Sequence, residues 1–379
     1  MRKGGNLYRT RQALLLVVLA ALLSACGWPS LTSTPTSVSS IPPSPGQARA
    51  GITRVTTSRA STAAPTPTPT PTPIPTPTPT PVPPPLPRCY QPRPAAVQAS
   101  PVASPEATPG VTPTPTPIGL SPAGPRSLFQ NCQIVAFYGY PDVPAMGVLG
   151  SADPAPLVQK LEAQVAAYQK VNTRREIAPA LELIYAVAQD SPGDGTYLAR
   201  MPDSMVQQYL ALAEKDDLLV ILDIQMGHST VAAELPHVLP YLKNPRVHLA
   251  LDPEFHTPGD VPGTVIGSMD ASEINRAADA LQQLVDQYHL PNKILIVHQF
   301  RPEMIQGKSD LKEPPGVDLV IDMDGFGGQE VKISEYEEFV KGDGAPHGGF
   351  KLFYTQDKPL LTPDQVEQLD PQPDVVIYQ

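Results

Sequence analysis

A pair of acidic residues, Asp252 and Glu254, ends one of the apolar runs of the sequence. Residues at i and i+2 of an extended chain point to the same side, so their carboxyl groups are expected to lie close together. The intervening Pro253 predicts that the strand ends there in a stiff turn. Two neighbouring carboxyl groups can keep different protonation states, one as a proton donor and the other ionised. The pair is therefore the strongest candidate for acid–base chemistry.

Further acidic and amide side chains alternate with aliphatic ones at the ends of two other apolar runs. They are Asp223, Gln225, Asp322 and Asp324. Such alternation sends the aliphatic side chains to one face of a strand and the acids to the other. Several carboxylates aimed into one space cost free energy unless they bind a ligand or shift their pKa values. We therefore interpret Asp223 and Asp322, with Asp252 and Glu254, as candidate catalytic residues.

The ends of the remaining runs carry side chains suited to binding. They are Tyr138, Tyr140, His298, Gln299, Tyr354 and Tyr378. Amide and imidazole groups donate and accept hydrogen bonds, and aromatic rings offer flat apolar faces. These six residues, together with Gln225 and Asp324, are our candidate substrate-binding residues.

Eight strand-like runs must position these residues, and helical patterns lie between most of them. The runs span residues 133–140, 180–188, 218–225, 246–252, 293–299, 317–323, 350–354 and 374–378. Apolar strands joined by helices are typical of a parallel sheet covered by helices. Eight such units in about 250 residues predict an α/β fold, a closed (β/α)₈ TIM-type barrel over residues 126–379. All strands of such a barrel end at one mouth, so the candidate residues are expected to form a single site.

An open doubly wound sheet is the alternative fold. That fold usually carries a glycine-rich phosphate loop after its first strand. The corresponding loop here, residues 138–150, contains no Gly-x-Gly-x-x-Gly sequence, which favours the barrel. Among the helical patterns, Asp270 and Glu273 are spaced as a capping box that begins a helix.

Residues 1–25 read as an export signal. A positively charged start precedes an apolar stretch at 13–23 that is too short to span a bilayer comfortably. The closing sequence Leu23-Ser24-Ala25-Cys26 resembles the lipobox of bacterial lipoproteins. The resemblance implies cleavage before Cys26, lipidation of that cysteine, and a lipid-anchored protein that faces the outside of the cell membrane.

Residues 26–125 are rich in Pro, Thr, Ser and Ala. This region has too few large apolar side chains to offset the entropy of ordering, so we predict a disordered, extended Pro/Thr-rich tether. Cys89 lies in the tether and Cys132 follows it. Outside the cytoplasm the two cysteines could form a disulfide. The alternative is that both stay unpaired, with Cys132 buried.

Charge is unevenly distributed along the chain. Residues 1–125 hold nine of the 27 Lys and Arg residues but only one of the 37 acidic residues. The barrel region is therefore strongly acidic, which argues against nucleic acid or an anionic membrane surface as its partner. The excess of acids suits a neutral or cationic ligand or a metal, although solubility alone also explains it.

The Asp252-Pro-Glu254 sequence at the end of the fourth strand resembles glycoside hydrolases. Many (β/α)₈ glycosidases carry an acid/base carboxylate there, and the chitinase-like family ends that strand in Asp-x-Asp-x-Glu. The last two acids match, whereas Val247 and Ala250 occupy the earlier acidic positions. The resemblance implies that Glu254 is a general acid acting on carbohydrate. Asp223 or Asp322 would then be the base or nucleophile, or Asp252 would orient a substrate acetamido group.

The same resemblance implies that Tyr138, Tyr140, Phe326 and Tyr378 stack on sugar rings. It calls for no cofactor and no metal, and we expect a monomer. Two other interpretations stay open. The first is a metal-dependent hydrolase that uses carboxylates and imidazoles from the same zone, namely Asp223, Asp252, Glu254, His256, His298 and Asp322. The second is a non-catalytic barrel that binds glycans or another solute.

Overall fold

The computed structural model describes residues 85–90 and 126–379. Eight parallel strands close into a barrel, because each strand pairs with two neighbours and the last returns to the first. These strands are β1 (Cys132–Gly139), β2 (Glu176–Ala188), β4 (Leu219–Ile224), β5 (Val247–Leu251), β7 (Lys293–Gln299), β9 (Val317–Met323), β10 (His347–Leu352) and β11 (Val375–Tyr378). They run around the barrel in the order β1-β2-β4-β5-β7-β9-β10-β11. The predicted barrel is confirmed, and each of the eight predicted runs coincides with a strand to within a few residues.

Three short strands lie outside the closed sheet. β3 (Leu198–Arg200) pairs antiparallel with the end of β2. β6 (Met269–Asp270) and β8 (Ile305–Gln306) form a separate two-stranded parallel sheet. All three belong to the loops that follow barrel strands.

Helices connect most of the strands. They are α1 (Pro154–Val171), α2 (Asp203–Lys215), α3 (Val231–Leu242), α4 (Ala271–Tyr288), α5 (Gln329–Tyr336) and α6 (Pro363–Glu367). In α4, Ile274, Leu281 and Val285 are buried against the barrel. None of the helices within residues 85–90 and 126–379 is long and apolar enough to cross a membrane.

The capping box predicted at the start of α4 is wrong. The side chain of Asp270 makes no capping hydrogen bond. The Glu273 carboxylate instead accepts a hydrogen bond from the backbone N–H of Val231 at 3.1 Å. Because Val231 is the first residue of α3, Glu273 satisfies an N–H group that the neighbouring helix leaves unpaired.

Alternate residues of each strand face two separate apolar layers. In β4, Val220 and Leu222 pack with the helices, whereas Leu219 and Ile221 pack inside the barrel. Asp223 follows the inward-facing set and is fully buried. The predicted alternation therefore holds, and it places acidic side chains on the barrel axis.

The base of the barrel includes a short segment from the region predicted as tether. Within residues 85–90, Cys89 forms a disulfide with Cys132 at the start of β1. The Tyr90 hydroxyl donates to the carbonyl of Asn292 at 3.1 Å, and Arg88 donates to the carbonyl of Ile177 at 3.1 Å. The segment thus enters the domain at the end opposite the mouth. Cys26, the leader and the rest of the predicted tether lie outside the described residues.

Removing the Cys89–Cys132 disulfide should destabilise the barrel. The bond joins residues 43 positions apart, and closing a loop of that size stabilises the folded state by roughly 2–4 kcal/mol. We expect Cys89→Ala/Cys132→Ala to lower the free energy of unfolding by this amount in urea titrations. Reduced wild-type protein should match the double variant. Equal stability of the oxidised wild type and the variant would contradict the expectation.

Candidate active site

The inner surface of the barrel gathers acidic side chains from three strands, β2, β4 and β9, and from the segments that directly follow β5 and β9. This carboxylate cluster consists of Glu182, Asp223, Asp252, Glu254, Asp322 and Asp324. All four predicted catalytic residues belong to it, as does Asp324. Three of its members, Glu182, Asp223 and Asp322, have no exposed surface. Glu254 is only half-buried and lies nearest to solvent.

His298, on β7, lies at the centre of the cluster. Its Nδ1 lies 2.9 Å from Oδ2 of Asp322, and its Nε2 lies 3.1 Å from Oε1 of Glu182. Burial and the charge of Lys351 act to lower the pKa of His298, but the hydrogen bonds to Asp322 and Glu182 outweigh them and raise it well above its ordinary value. The raised pKa favours an imidazolium, which can donate from both nitrogens.

Lys351, on β10, is the second cation of the cluster. Its Nζ donates to Asp324 at 3.1 Å and lies 3.6 Å from the centroid of the Tyr138 ring. Although burial opposes the charge, the surrounding carboxylates raise the pKa of Lys351 and keep it protonated. The Tyr138 hydroxyl donates to Asp223 at 3.1 Å. Tyr138 therefore lines the interior of the site, and its ring already packs against the Lys351 ammonium group.

Asp252 and Glu254 sit at the mouth, above Asp223. Asp223 pairs in register with Ala250, which places Asp252 two residues closer to the mouth. Oδ1 of Asp252 accepts the backbone N–H of Glu254 at 3.1 Å and so holds the turn Pro253–Phe255. The turn also rests on Gly267, whose N–H donates to the carbonyl of Glu254 at 2.6 Å.

The carboxyl groups of this pair hold their protons more tightly than ordinary acids. Burial, followed by the charge of Asp223, raises the pKa of Asp252 to about 7. Burial also raises the pKa of Asp223 to about 6. For Glu254, burial and then the charges of Asp252 and Asp324 raise the pKa well above its ordinary value. All three carboxyl groups therefore ionise less readily than ordinary acids, so that one can remain a proton donor while another is ionised.

Both ring nitrogens of His298 are engaged, which argues against a metal bound through this imidazole. His298, Asp322 and Asp324 do bring one potential ligand atom each within 4.8 Å of one another. A metal-binding imidazole must be neutral with one free nitrogen, whereas both nitrogens of His298 are hydrogen-bonded to carboxylates. The ammonium group of Lys351 already supplies positive charge beside Asp324. His256, included in the metal interpretation, instead lies 2.6 Å from the carbonyl oxygen of Ser268 through its Nδ1.

Four predicted binding residues make their contacts outside the cluster. Gln299 accepts from the Nζ of Lys308 at 2.6 Å, and Gln225 accepts from the backbone N–H of Ala188 at 3.0 Å. The hydroxyls of Tyr378 and Tyr168 are 2.9 Å apart on the helix side of the sheet, and Tyr354 stacks on Tyr378. Strand alternation explains two of these corrections, because an inward His298 sends Gln299 outward and an inward Ile377 sends Tyr378 outward. Tyr140 is half-buried at the mouth.

Two residues of the site, Glu182 and Lys351, were not predicted. Both lie inside apolar runs rather than at their ends, and both are almost fully buried. A charged residue within a buried parallel strand is rare unless it is paired. That signal could have identified both residues, since each occupies an inward-facing position of its strand.

No known protein family and no curated protein matches the chain. Solved structures with weak similarity to the chain include the following three. A glycoside hydrolase family 5 enzyme from Prevotella bryantii, in complex with a xyloglucan tetradecasaccharide, is 10% identical with a TM-score of 0.34, over 64% of this chain and 87% of that chain. A putative alpha-L-fucosidase from Bacteroides thetaiotaomicron is 10% identical with a TM-score of 0.31, over 72% of this chain and 91% of that chain. The cellulose synthase subunit Z from Clostridioides difficile is 9% identical with a TM-score of 0.28, over 53% of this chain and 79% of that chain. The assignment of the barrel rests on the strand pairing. The weak similarity to these three structures gives no information about the reaction.

Proposed function

We propose that the protein is a glycoside hydrolase that cleaves a polysaccharide at the barrel mouth, with Glu254 as the general acid. One observation carries the proposal. Glu254 is the cluster carboxyl nearest to solvent, and burial beside Asp252 raises its pKa well above the ordinary value. A glycosidase needs such a protonated carboxyl to protonate the leaving oxygen and a second carboxylate to complete the reaction.

Asp252 is the best placed of the remaining carboxyls to be that second group. It adjoins Glu254 and lies closer to the mouth than Asp223. Once ionised, it acts either as a base, taking a proton from the water that attacks the sugar carbon, or as a nucleophile that bonds to that carbon while the protonated leaving oxygen departs. Asp322 is engaged by His298, and Asp223 by the Tyr138 hydroxyl. These two supply negative charge beneath the oxocarbenium-like transition state.

We also propose that the protein acts outside the cytoplasm. The lipobox-like sequence at Cys26 supports a protein that is lipid-anchored outside the cytoplasm. The predicted Pro/Thr-rich tether is expected to hold the barrel away from the membrane. The disulfide at Cys89 is typical of an oxidising compartment. The substrate is therefore a glycan of the cell envelope or of the surroundings.

A glycan-binding barrel without catalysis is the second candidate. It is favoured by the complete burial of Glu182, Asp223 and Asp322. The test incubates the full chain with envelope and storage polysaccharides and measures newly formed reducing ends. Hydrolysis by the wild type and none by Glu254→Gln is expected. Glycan-dependent stabilisation of the fold without any reducing ends would favour the binder instead.

The pH dependence of the activity should report the ionisation of Asp252 and Glu254. Because the pKa of Asp252 is raised to about 7, kcat/KM is expected to rise with pH through about 7 as this group loses its proton. It should fall at higher pH as Glu254 loses its own. A profile that is already flat by pH 5 would contradict the assignment. Asp252→Asn should abolish the rising limb together with most of the activity.

Gly267→Ala should impair catalysis without touching a charged group. A Cβ at this position would lie 2.6 Å from the carbonyl oxygen of Pro253 and 2.7 Å from that of Glu254, so the turn that carries Glu254 must move. A shift of this kind costs roughly 10–100-fold in kcat. Gly328→Ala is the matched control, because a Cβ there meets nothing within 4 Å. Equal kcat values for the two variants would contradict the positioning role.

A further inference from the structure

The cluster carries more negative than positive charge. Six carboxyl groups face two cations, His298 and Lys351. Lys332 is also buried, and it is paired with Asp357 at 3.1 Å. Burial, followed by the charge of Asp223, accordingly raises the pKa of Asp252 to about 7.

Several carboxylate oxygens of the cluster also have no partner. Oε2 of Glu182, Oδ1 of Asp223 and Oδ1 of Asp322 are buried without a hydrogen-bond donor among the described residues. A buried acceptor left unsatisfied costs roughly 1–3 kcal/mol, and more when it is charged. The interior therefore has a deficit of both donors and positive charge.

A ligand that enters at the mouth can supply hydrogen-bond donors and positive charge. Glu254 is half-buried, Asp324 retains 8% exposure, and Asp252 retains 2%. A sugar hydroxyl would donate one hydrogen bond and bring no charge. A primary ammonium group brings three donors and a full positive charge.

We propose that the sugar recognised at the barrel mouth carries a free amine, bound as an ammonium group between Asp252 and Asp324 beside Glu254. The inference rests on the proposed function and names its substrate class, a polysaccharide of non-acetylated amino sugars. The ammonium group takes over the charge that retained protons otherwise neutralise. Binding consequently releases protons to the solvent.

The test measures binding to the full chain carrying Glu254→Gln, in which the amide mimics the protonated acid and prevents turnover. Calorimetry at pH 6.5 in two buffers of different ionisation enthalpy compares three β-1,4 tetramers: glucosamine, N-acetylglucosamine and glucose. We expect the glucosamine tetramer to bind at least tenfold more tightly, to weaken with salt, and to release protons. Equal affinity for the acetylated or the neutral tetramer, or binding without proton release, would overturn the inference. Equally tight binding of spermine would overturn the amino-sugar assignment.

Two variants locate the binding site. Asp324→Asn should weaken binding of the glucosamine tetramer about tenfold more than it weakens binding of the glucose tetramer. Glu214→Gln removes one charge from the exposed surface of α2 and should change neither. Should Asp324→Asn fail to fold, the salt and proton measurements on the parent protein still decide the matter. Selective binding without hydrolysis by the wild type would keep this inference and reject the proposed enzyme. Hydrolysis confined to neutral or acetylated glycans would do the reverse.

Discussion

Replacing Glu254 by glutamine should lower kcat/KM on a natural glycan by roughly 10³-fold, the usual contribution of a general acid. The amide keeps the size and the hydrogen-bonding capacity of the carboxyl but cannot give up a proton to the leaving oxygen. Because Glu254 is half-buried and its backbone holds the turn, the fold should remain intact. The measurement is steady-state hydrolysis by the wild type and the variant at matched circular dichroism.

The leaving group distinguishes an acid from a binding residue. A dinitrophenyl glycoside leaves without protonation, so its hydrolysis by Glu254→Gln should fall by less than about tenfold. Glu214→Gln, an exposed change on α2, should leave both substrates unaffected. Equal losses on the natural and the activated substrate would show that Glu254 binds rather than protonates.

Replacing Lys351 by methionine should destabilise the barrel by about 3–5 kcal/mol at pH 7, because it removes one of two buried cations from a carboxylate cluster. Asp324 loses its partner at 3.1 Å, and Glu182 and Asp252 lose a nearby positive charge. The exposed Lys215, with 77% of its side chain accessible, offers the matched control. Lys215→Met should change stability by less than about 0.5 kcal/mol.

The loss should depend on pH with a definite sign. Without Lys351, the pKa values of the remaining carboxyl groups in the folded protein rise further above their values in the unfolded chain. A raised pKa of this kind lowers the free energy of unfolding only at pH values where the same groups are ionised in the unfolded chain. The deficit is therefore small near pH 4 and grows as pH rises toward 7. Lys351→Met/Asp324→Asn should recover part of the loss, since it removes both members of the pair. A deficit that is independent of pH, or a double variant no better than the single one, would contradict this account in urea titrations.

The sequence predicts the barrel well because its signals are local. Apolar runs bounded by polar turns mark the eight strands, and alternation within them sends Asp223 and Asp322 to the axis. The same alternation, applied strictly, also excludes Gln299 and Tyr378 from the site. Gln299 and Tyr378 are predicted as binding residues only if every side chain at a strand end points into the mouth.

Other features depend on contacts that no local pattern encodes. Glu182 and Lys351 acquire their roles only when the closed barrel brings β2 and β10 to the same interior as His298 on β7. Attachment of residues 85–90 to the base similarly depends on Tyr90 reaching Asn292, 202 positions away. The failed capping box at Glu273 has the same origin, because contact with Val231 overrides a local preference.

The proposed hydrolysis depends most on one property of the protein, a protonated Glu254 at the mouth. Carbon-13 NMR of glutamate carboxyls measures it directly, with the resonance assigned by its loss in Glu254→Gln. We predict a titration midpoint well above the ordinary 4.5, because burial and the charges of Asp252 and Asp324 oppose ionisation. A midpoint at or below 4.5 would mean that Glu254 is ionised at neutral pH, and would contradict its role as the acid.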